Sequence, residues 1–533
     1  MIISHFIYKR KNGNVKQMSA GQKERMRRER CKVFGKSKKT LAFYVKNVYA
    51  IERLGFAAIR RFSYEITGKK RKFMKKYDVV IIGGGIGGLM AAYRLTRENR
   101  ALSVCLIEKG NPIEKRVCPI ITKKAQTCIR CKSCAIMEGL AGAGAFSDGK
   151  YVISTEYGGW LPDFLPAKTV LDYIEQADDI LVSFGAVKER FHPDNELKRI
   201  CLQHDLHMAQ AELKHLGTDA NFETMRRLIE ELSSRCEVLT NTTVTDVDRS
   251  CNQVFCQNAS GTFALGASKI IFAVGRVGNR FFADWCRKNN VQLHNNQVDI
   301  GVRVELPALV WDSFSKKIYE PKISYRTKLY GDTTRMFCFN ERGQVVMENT
   351  DGVLTVNGHS YRGADKKTEN SNFALLSTIR FTQPFNAPVQ YAREIANLAN
   401  LISGGSVLVQ RFGDLVRGRR TEEKRLAQST TRPTLEAVPG DLSLCLPKRQ
   451  LDNIVETIYA LDNIAPGTAN YDTLLYGVEC KYYSARPKCE NFVIDGCEGI
   501  YAVGDGAGFT RSLSQAAANG LYVADDILAK LGK

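Results

Sequence analysis

No stretch of the 533-residue chain reaches eighteen consecutive apolar residues, so no segment has the length and apolarity of a membrane-spanning helix. The opening run Met1 to Tyr8 is too short for the hydrophobic part of a secretory leader, and no small-residue cleavage site follows it. Sixteen cysteines are present, but their spacing shows none of the regularity of a secreted disulfide scaffold. A chain of this size also has little need of such staples. The expected setting is therefore reducing and cytoplasmic. Internal repeats and low-complexity tracts are absent as well, which excludes a repeat architecture.

Acidic residues are scarce at the beginning. Residues 1–73 hold 21 Lys and Arg against 4 Asp and Glu, whereas the remaining 460 residues hold 56 against 52. The net charge of +21 thus sits largely in a basic N-terminal extension. The body is close to neutral, and nucleic acid is not an expected partner for it. Residues 1–73 read as a solvated arm, as an arm for nucleic acid or a membrane surface, or as sequence absent from the mature protein. Met74-Lys75-Lys76-Tyr77-Asp78, leading straight into the first strand, favours the last of these.

The strongest local signal begins at Asp78. Asp78-Val79-Val80-Ile81-Ile82 is a short β-branched run of the kind buried in parallel sheets. Gly83-Gly84-Gly85-Ile86-Gly87-Gly88 follows, with G-x-G-x-x-G at Gly83, Gly85 and Gly88, and then a helical segment from Leu89. Ser103 to Glu108 reads as the second strand of the same βαβ unit. In such a turn the first glycine permits the tight strand-to-helix reversal. The second lets backbone approach a pyrophosphate, and the third lets helix and strand pack closely. Free N–H groups at the helix start then favour an anion. Glu108, twenty residues after Gly88 and at a strand end, is placed to accept hydrogen bonds from a ribose.

Near the other end, the strand Ile500 to Val503 runs into Gly504-Asp505-Gly506-Ala507-Gly508 and a terminal helix. Flavoproteins of the glutathione-reductase-like class use these two elements in this order for FAD. A carboxylate at the second turn can hold the ribityl chain, and the following helix start can face the flavin ring. The expected cofactor is FAD, held by Gly83, Gly85, Gly87, Gly88, Glu108, Gly504, Asp505 and Gly506. No second G-x-G-x-x-G follows a strand, so a built-in nicotinamide domain is not expected.

From about residue 74 onward the chain resembles the bacterial family of uncharacterised FAD-dependent dehydrogenases that share a dedicated C-terminal domain. The matching stretches are Gly142-Ala143-Gly144-Ala145-Phe146-Ser147-Asp148-Gly149-Lys150, His215-Leu216-Gly217-Thr218-Asp219, Asp299-Ile300-Gly301-Val302-Arg303-Val304-Glu305, Val356 to Ser360, Asn372 to Leu376, Val409 to Asp414 and the Gly504–Gly508 turn. The resemblance implies FAD binding, with Gly144, Ser147 and Val244 added to the cofactor contacts, and an oxidoreductase activity. It implies no substrate.

The fold class expected is α/β: a Rossmann-type FAD-binding domain of the glutathione-reductase-like class with an inserted α+β second domain. The expected divisions are 1–73 for the extension, 74–298 and 481–533 for the FAD-binding domain, and 299–480 for the second, substrate-facing domain. Four thiols, Cys118, Cys128, Cys131 and Cys134, fall within seventeen residues, three of them at C-x-x-C-x-x-C spacing. They admit an iron–sulfur cluster or zinc, a redox dithiol, or no special role. His359 could donate a proton or simply bond to backbone. Arg411, Arg417, Arg419 and Arg420 could hold an anion or form a solvated face. The leading function is a FAD-dependent dehydrogenase or reductase that exchanges a hydride with a small organic substrate. A nicotinamide or a protein would serve as electron donor. FAD-dependent RNA modification and a non-catalytic electron-transfer subunit are the alternatives.

Overall fold

Lys75–Ile82 pairs in parallel with Val104–Ile107 on one side and with Gly261–Phe272 on the other. The β-branched run explains this placement: Val79, Val80 and Ile81 are fully buried, as a strand covered on both faces requires. Glu237–Leu239 extends the sheet beyond Val104–Ile107, and Ile500–Ala502 joins the far side of Gly261–Phe272, both in parallel. The computed structural model describes residues 74–532 except 120, 121, 123, 125–128, 130, 132, 351, 362, 382–384, 386 and 482. The basic extension, and the question of whether the mature protein keeps it, lie outside the described residues.

The helix Ile86–Glu98 follows the first strand, and Leu513–Lys530 follows the last. They cross closely because both are glycine at the contact. A Cβ on Gly520 would stand 2.1 Å from the Gly87 carbonyl oxygen, and one on Gly87 would stand 3.0 Å from that of Ala516. This crossing brings the starts of the two helices to the same edge of the sheet. Ala167–Ser183 and Thr218–Ser233 complete the cover of this core.

A second sheet runs in the order Val438–Pro439, Leu408–Arg411, Leu474–Lys481, Val298–Pro307, Asn370–Ile379, Thr333–Asn340, Ile323–Arg326, Leu206–Met208. Its central strand alternates strictly. Val298, Ile300, Val302, Val304 and Leu306 belong to an apolar core with the helices Pro388–Ile402 and Lys448–Asp462. Asp299, Arg303 and Glu305 point the other way and are equally buried. Alternation of this kind ordinarily marks a strand with one wet face; here the polar face is a buried layer beneath a cavity, bonded to Arg335, Cys338 and Thr434, which line it. Leu206–Met208 joins this sheet although it lies well before residue 299, so the second sheet draws on both expected segments.

Arg303 is fully buried and fully engaged. Its guanidinium donates to Asn372 Oδ1 at 2.9 Å and to the Cys338 carbonyl at 2.8 Å, and it pairs with Glu479 at 3.3 Å. Glu479 also pairs with Lys481, whose Nζ lies 2.8 Å away.

Candidate functional site

The carboxyl ends of Lys75–Ile82, Gly261–Phe272 and Ile500–Ala502 open into one cavity of about 2470 Å³. Open α/β sheets bind ligands at this edge. The volume exceeds the roughly 300–1,000 Å³ of an ordinary small-molecule pocket, and so has room for a long cofactor with a substrate beside it.

Gly83 turns the chain at φ +112°, where a side chain would be strained, and a Cβ there would collide with the Ala273 carbonyl oxygen at 2.2 Å. A Cβ on Gly88 would stand 2.1 Å from the Gly83 carbonyl oxygen. Gly85 differs from both: a Cβ there meets nothing within 4 Å, because it points into the cavity. Gly85 is the N-cap of Ile86–Glu98, with no side-chain cap and no acidic residue in the first turn. The helix start is thus left uncapped and electropositive at the cavity wall. Ala141, in the left-handed region at φ +69°, donates its N–H to the Gly84 carbonyl at 2.8 Å and ties the Gly142–Phe146 turn to this one.

Glu108 is buried at the end of its strand and lines the cavity. Its carboxylate accepts Gly84 N–H at 2.9 Å, Gly110 N–H at 2.8 Å and Gly139 N–H at 3.0 Å. The expected ribose ligand is therefore also the clamp of three loops. Glu108→Gln turns one acceptor into a donor facing a backbone N–H. The expected outcome is FAD affinity lowered about ten- to a hundredfold, the worth of one charged hydrogen bond at roughly 1.5–3 kcal/mol, together with a lower melting temperature. Titration of the apoprotein with FAD measures it, and unchanged affinity would make Glu108 a loop clamp alone.

The second turn repeats the pattern. Gly504 sits at φ +76°, donates its N–H to Asn519 Oδ1 at 2.8 Å, and again leaves its Cβ direction empty. A Cβ on Gly506 would stand 2.5 Å from the Gly275 carbonyl oxygen, so that glycine serves packing. Asp505 lines the cavity and pairs with Arg276 Nε at 3.3 Å. Burial pushes its carboxyl up, against the pull of Arg276 and Arg511. Ser512 caps the terminal helix by accepting Gln515 N–H at 3.1 Å, and Ser512, Leu513 and Ala516 line the cavity.

Gly83, Gly85, Gly87, Glu108, Gly144, Ser147, Val244, Gly504 and Asp505 thus surround one space, while Gly88 and Gly506 stand behind it. Of the cysteines, Cys118 and Cys134 line the cavity edge, Cys131 is exposed, and Cys128 lies outside the described residues. No group of three or more His, Cys, Asp or Glu able to hold a metal occurs among the described residues. None of Arg411, Arg417, Arg419 and Arg420 lines the cavity; Arg417 stacks 4.4 Å from the Tyr471 ring centre, and Arg411 and Arg419 are spent on carboxylates. Arg411 pairs with Asp472, and Arg419 and Arg425 pair with the buried Asp414 at 2.8 and 3.2 Å.

The part of the cavity lined by residues other than the two glycine turns, called the chamber here, carries charged groups whose pairing the sequence did not reveal. Lys150 Nζ lies 2.9 Å from Asp148 and 3.8 Å from Glu320, and also donates to the Phe339 carbonyl. Burial opposes its charge, yet Asp148 and Glu320 hold the ammonium above the ordinary lysine range. Lys322 donates to Glu320 at 2.6 Å. His359 lines the chamber, and burial keeps its imidazole below the usual histidine range in spite of Asp148 and Glu348. The loop 157–160 is zipped to the segment before the terminal helix: Trp160 N–H donates to the Phe509 carbonyl at 2.9 Å, and Arg511 and Ser512 donate to that of Gly158 at 2.9 and 2.8 Å.

Comparison with known proteins follows this geometry. Residues 297–482 match the family model described as FAD-dependent protein, C-terminal domain-like, and residues 77–297 match that of pyridine nucleotide-disulphide oxidoreductases. This is the resemblance the sequence motifs carry. Together the two matches run from residue 77 to residue 482. An uncharacterized protein of Clostridium beijerinckii is 24% identical over 471 residues, covering 85% of this chain and 80% of that one. Among solved structures, glycine oxidase from Geobacillus kaustophilus aligns at 11% identity and TM-score 0.38, over 85% of this chain and 95% of its own. L-proline dehydrogenase from P. horikoshii aligns at 13% identity and TM-score 0.37, over 86% and 95%. No helix among the described residues is long and apolar enough to cross a membrane.

Proposed function

We propose that the protein is a FAD-dependent dehydrogenase or reductase that acts on a small organic substrate. The observation that carries this reading is the pair of glycine turns at one sheet edge. At Gly85 and Gly504 alone among the turn glycines Gly83, Gly85, Gly87, Gly88, Gly504 and Gly506, a Cβ would enter empty space, and both lie at the start of a helix or helical turn facing the cavity. These are the places where a dinucleotide's phosphates and ribityl chain need close approach to backbone. Glu108 and Val244 would flank the adenosine end, Gly144 and Ser147 the middle, and Asp505 the ribityl chain.

When bound, the flavin supplies a two-electron acceptor or donor of hydride. The protein's own part is to orient the substrate, exclude water and manage the accompanying proton. His359, kept neutral by burial, can accept that proton on its ring, and the Lys150–Asp148–Glu320 cluster fixes the charge around it. The electron partner would be a nicotinamide or a protein. The chain would divide into a FAD-binding domain from 74–298 and 481–533 and a second domain from 299–480, with Leu206–Met208 reaching across.

Anaerobic stopped-flow mixing of the flavin-loaded protein with panels of small donors tests the activity. Bleaching of the flavin band by at least one class, at rates on the order of the roughly 1–1,000 per second of ordinary enzymes, is expected. Reduction only by a protein partner would favour an electron-transfer subunit instead. A chain beginning at Met74 is expected to retain its flavin and to melt within a few degrees of the full chain, because the first strand begins at Lys75. Calorimetry of the two chains checks this, and loss of soluble protein on truncation would contradict it.

A further inference from the structure

We propose that the chamber recognises its substrate through a carboxylate or a similar single anion, held between Arg335 and Arg511. This rests on the flavin reading and names the substrate class for it. Both guanidiniums line the cavity, and both lean on one carboxylate. Arg335 donates to the two oxygens of Asp299 at 2.9 and 3.0 Å, and Arg511 lies 3.8 Å from one of them. Asp299 is fully buried and is further occupied by Thr378 Oγ1 at 2.7 Å and by the Tyr483 hydroxyl.

Two cations sharing one anion leave a surplus of one positive charge at the wall. The neighbouring charges do not absorb it. Lys150 and Lys322 are matched by Asp148 and Glu320, Asp505 is matched by Arg276, and Arg303 and Lys481 are matched by Glu479 and Glu348. Arg335 Nε is buried without a hydrogen-bond partner, an orphan donor of the kind that a ligand satisfies.

The surroundings define the rest of the ligand. Arg511 is stacked 4.2 Å from the Tyr483 ring centre, 4.9 Å from that of Phe337 and 5.9 Å from that of Trp160. Stacking on flat rings holds the guanidinium fork in one plane and leaves its edge for a planar anion. Trp160, Phe337 and Tyr483 also line the cavity, so the body attached to the anion meets apolar, aromatic walls. The position is set by the fold. Arg511 immediately precedes Ser512, the N-cap of the helix whose start faces the Gly504 turn, so the anion would lie next to the redox end of the cofactor.

The test is isothermal titration of the flavin-loaded full chain with benzoate, a carboxylate on a flat apolar body, and with benzyl alcohol, its neutral counterpart. Benzoate is expected to bind in the low millimolar range or tighter, and the alcohol about tenfold weaker or worse. Arg511→Gln is expected to weaken benzoate about tenfold or more, with flavin content, melting temperature and alcohol binding unchanged. Arg511→Lys should recover part of the loss, since it keeps the charge without the fork. Arg335→Gln gives a second reading from the other side of Asp299. Equal affinity for benzoate and the alcohol, no heat from benzoate at tens of millimolar, or full benzoate affinity in Arg511→Gln would overturn the proposal. Purification without flavin would instead defeat the flavin reading, while the same titration would still decide the anion.

Discussion

Gly85→Arg is expected to give a folded, colourless protein. A side chain at position 85 has open space before it, since a Cβ there meets nothing within 4 Å, and Gly85 itself is extended at φ −75°. Neither collision nor backbone strain opposes the substitution, so the melting temperature of the apoprotein should change little. A cation near the helix start is disfavoured by only about 0.3–1 kcal/mol. The long side chain nevertheless fills the space in which a pyrophosphate meets the N–H groups of that helix. Losing those contacts to overlap is expected to weaken FAD by at least about a thousandfold, or about 4 kcal/mol. The contrast with Gly88 sharpens the prediction. A Cβ at Gly88 would stand 2.1 Å from the Gly83 carbonyl oxygen, so Gly88→Ala should lower stability as well as flavin content. Flavin absorbance and a thermal melt on each variant separate the two effects. A Gly85→Arg protein that retains full flavin would remove this turn from the site.

Arg303→Met is the largest stability effect expected. The substitution removes one partner of a fully buried ion pair and takes the shorter of two donors from Asn372 Oδ1 and from the Cys338 carbonyl, leaving each with Asn340 Nδ2 at 3.3 and 3.1 Å. Breaking such a pair typically costs about 3–5 kcal/mol. Lys481 still neutralises Glu479 from 2.8 Å, which places the expected loss toward the lower end of that range. Because Arg303 holds the Cys338 carbonyl, and Cys338 lines the chamber, substrate turnover should fall in the fraction that remains folded. Urea unfolding measures the stability term. A loss below about 1 kcal/mol would mean that the buried polar layer is not what holds the second sheet together.

The first glycine turn and its place at the cavity were legible because their physics is local. A turn that excludes side chains at Gly83 and Gly88, a helix start and a strand-end carboxylate all fall within thirty residues, Gly83 to Glu108, and their spacing carries the chemistry. The strands and helices of the first sheet were read to within a few residues where β-branched or helical periodicity was strong. Gly261–Phe272 is harder to read, because its apolar β-branched signal, Ile270 and Ile271, comes only after nine residues of strand. That earlier stretch is used in antiparallel pairing with Gln253–Asn258.

The chamber was not legible, for the opposite reason. Arg335, Arg511, Asp299 and Tyr483 come from four separate parts of the chain, and only Asp299 lies in one of the stretches that stood out. Val298–Pro307 alternates apolar and polar residues, but sequence cannot tell a polar face turned to water from one buried beneath a cavity. The arginines that did stand out, Arg411 and Arg419, attract notice because they are near one another in sequence. That proximity serves Asp414 and Asp472. The cysteine spacing shows the same limit: it permits a shared ligand, yet Cys131 is exposed while Cys118 and Cys134 lie at the cavity edge.

The claim on which all else depends is that the space between the Gly83–Gly88 and Gly504–Gly508 turns holds FAD. The direct measurement is the flavin content of the purified full chain, by absorbance against protein concentration, with the released cofactor identified by mass. About one FAD per chain is expected, read with a charge-assisted site that should hold it through purification. A folded chain that carries no flavin and takes up none when FAD is added in excess would contradict the account.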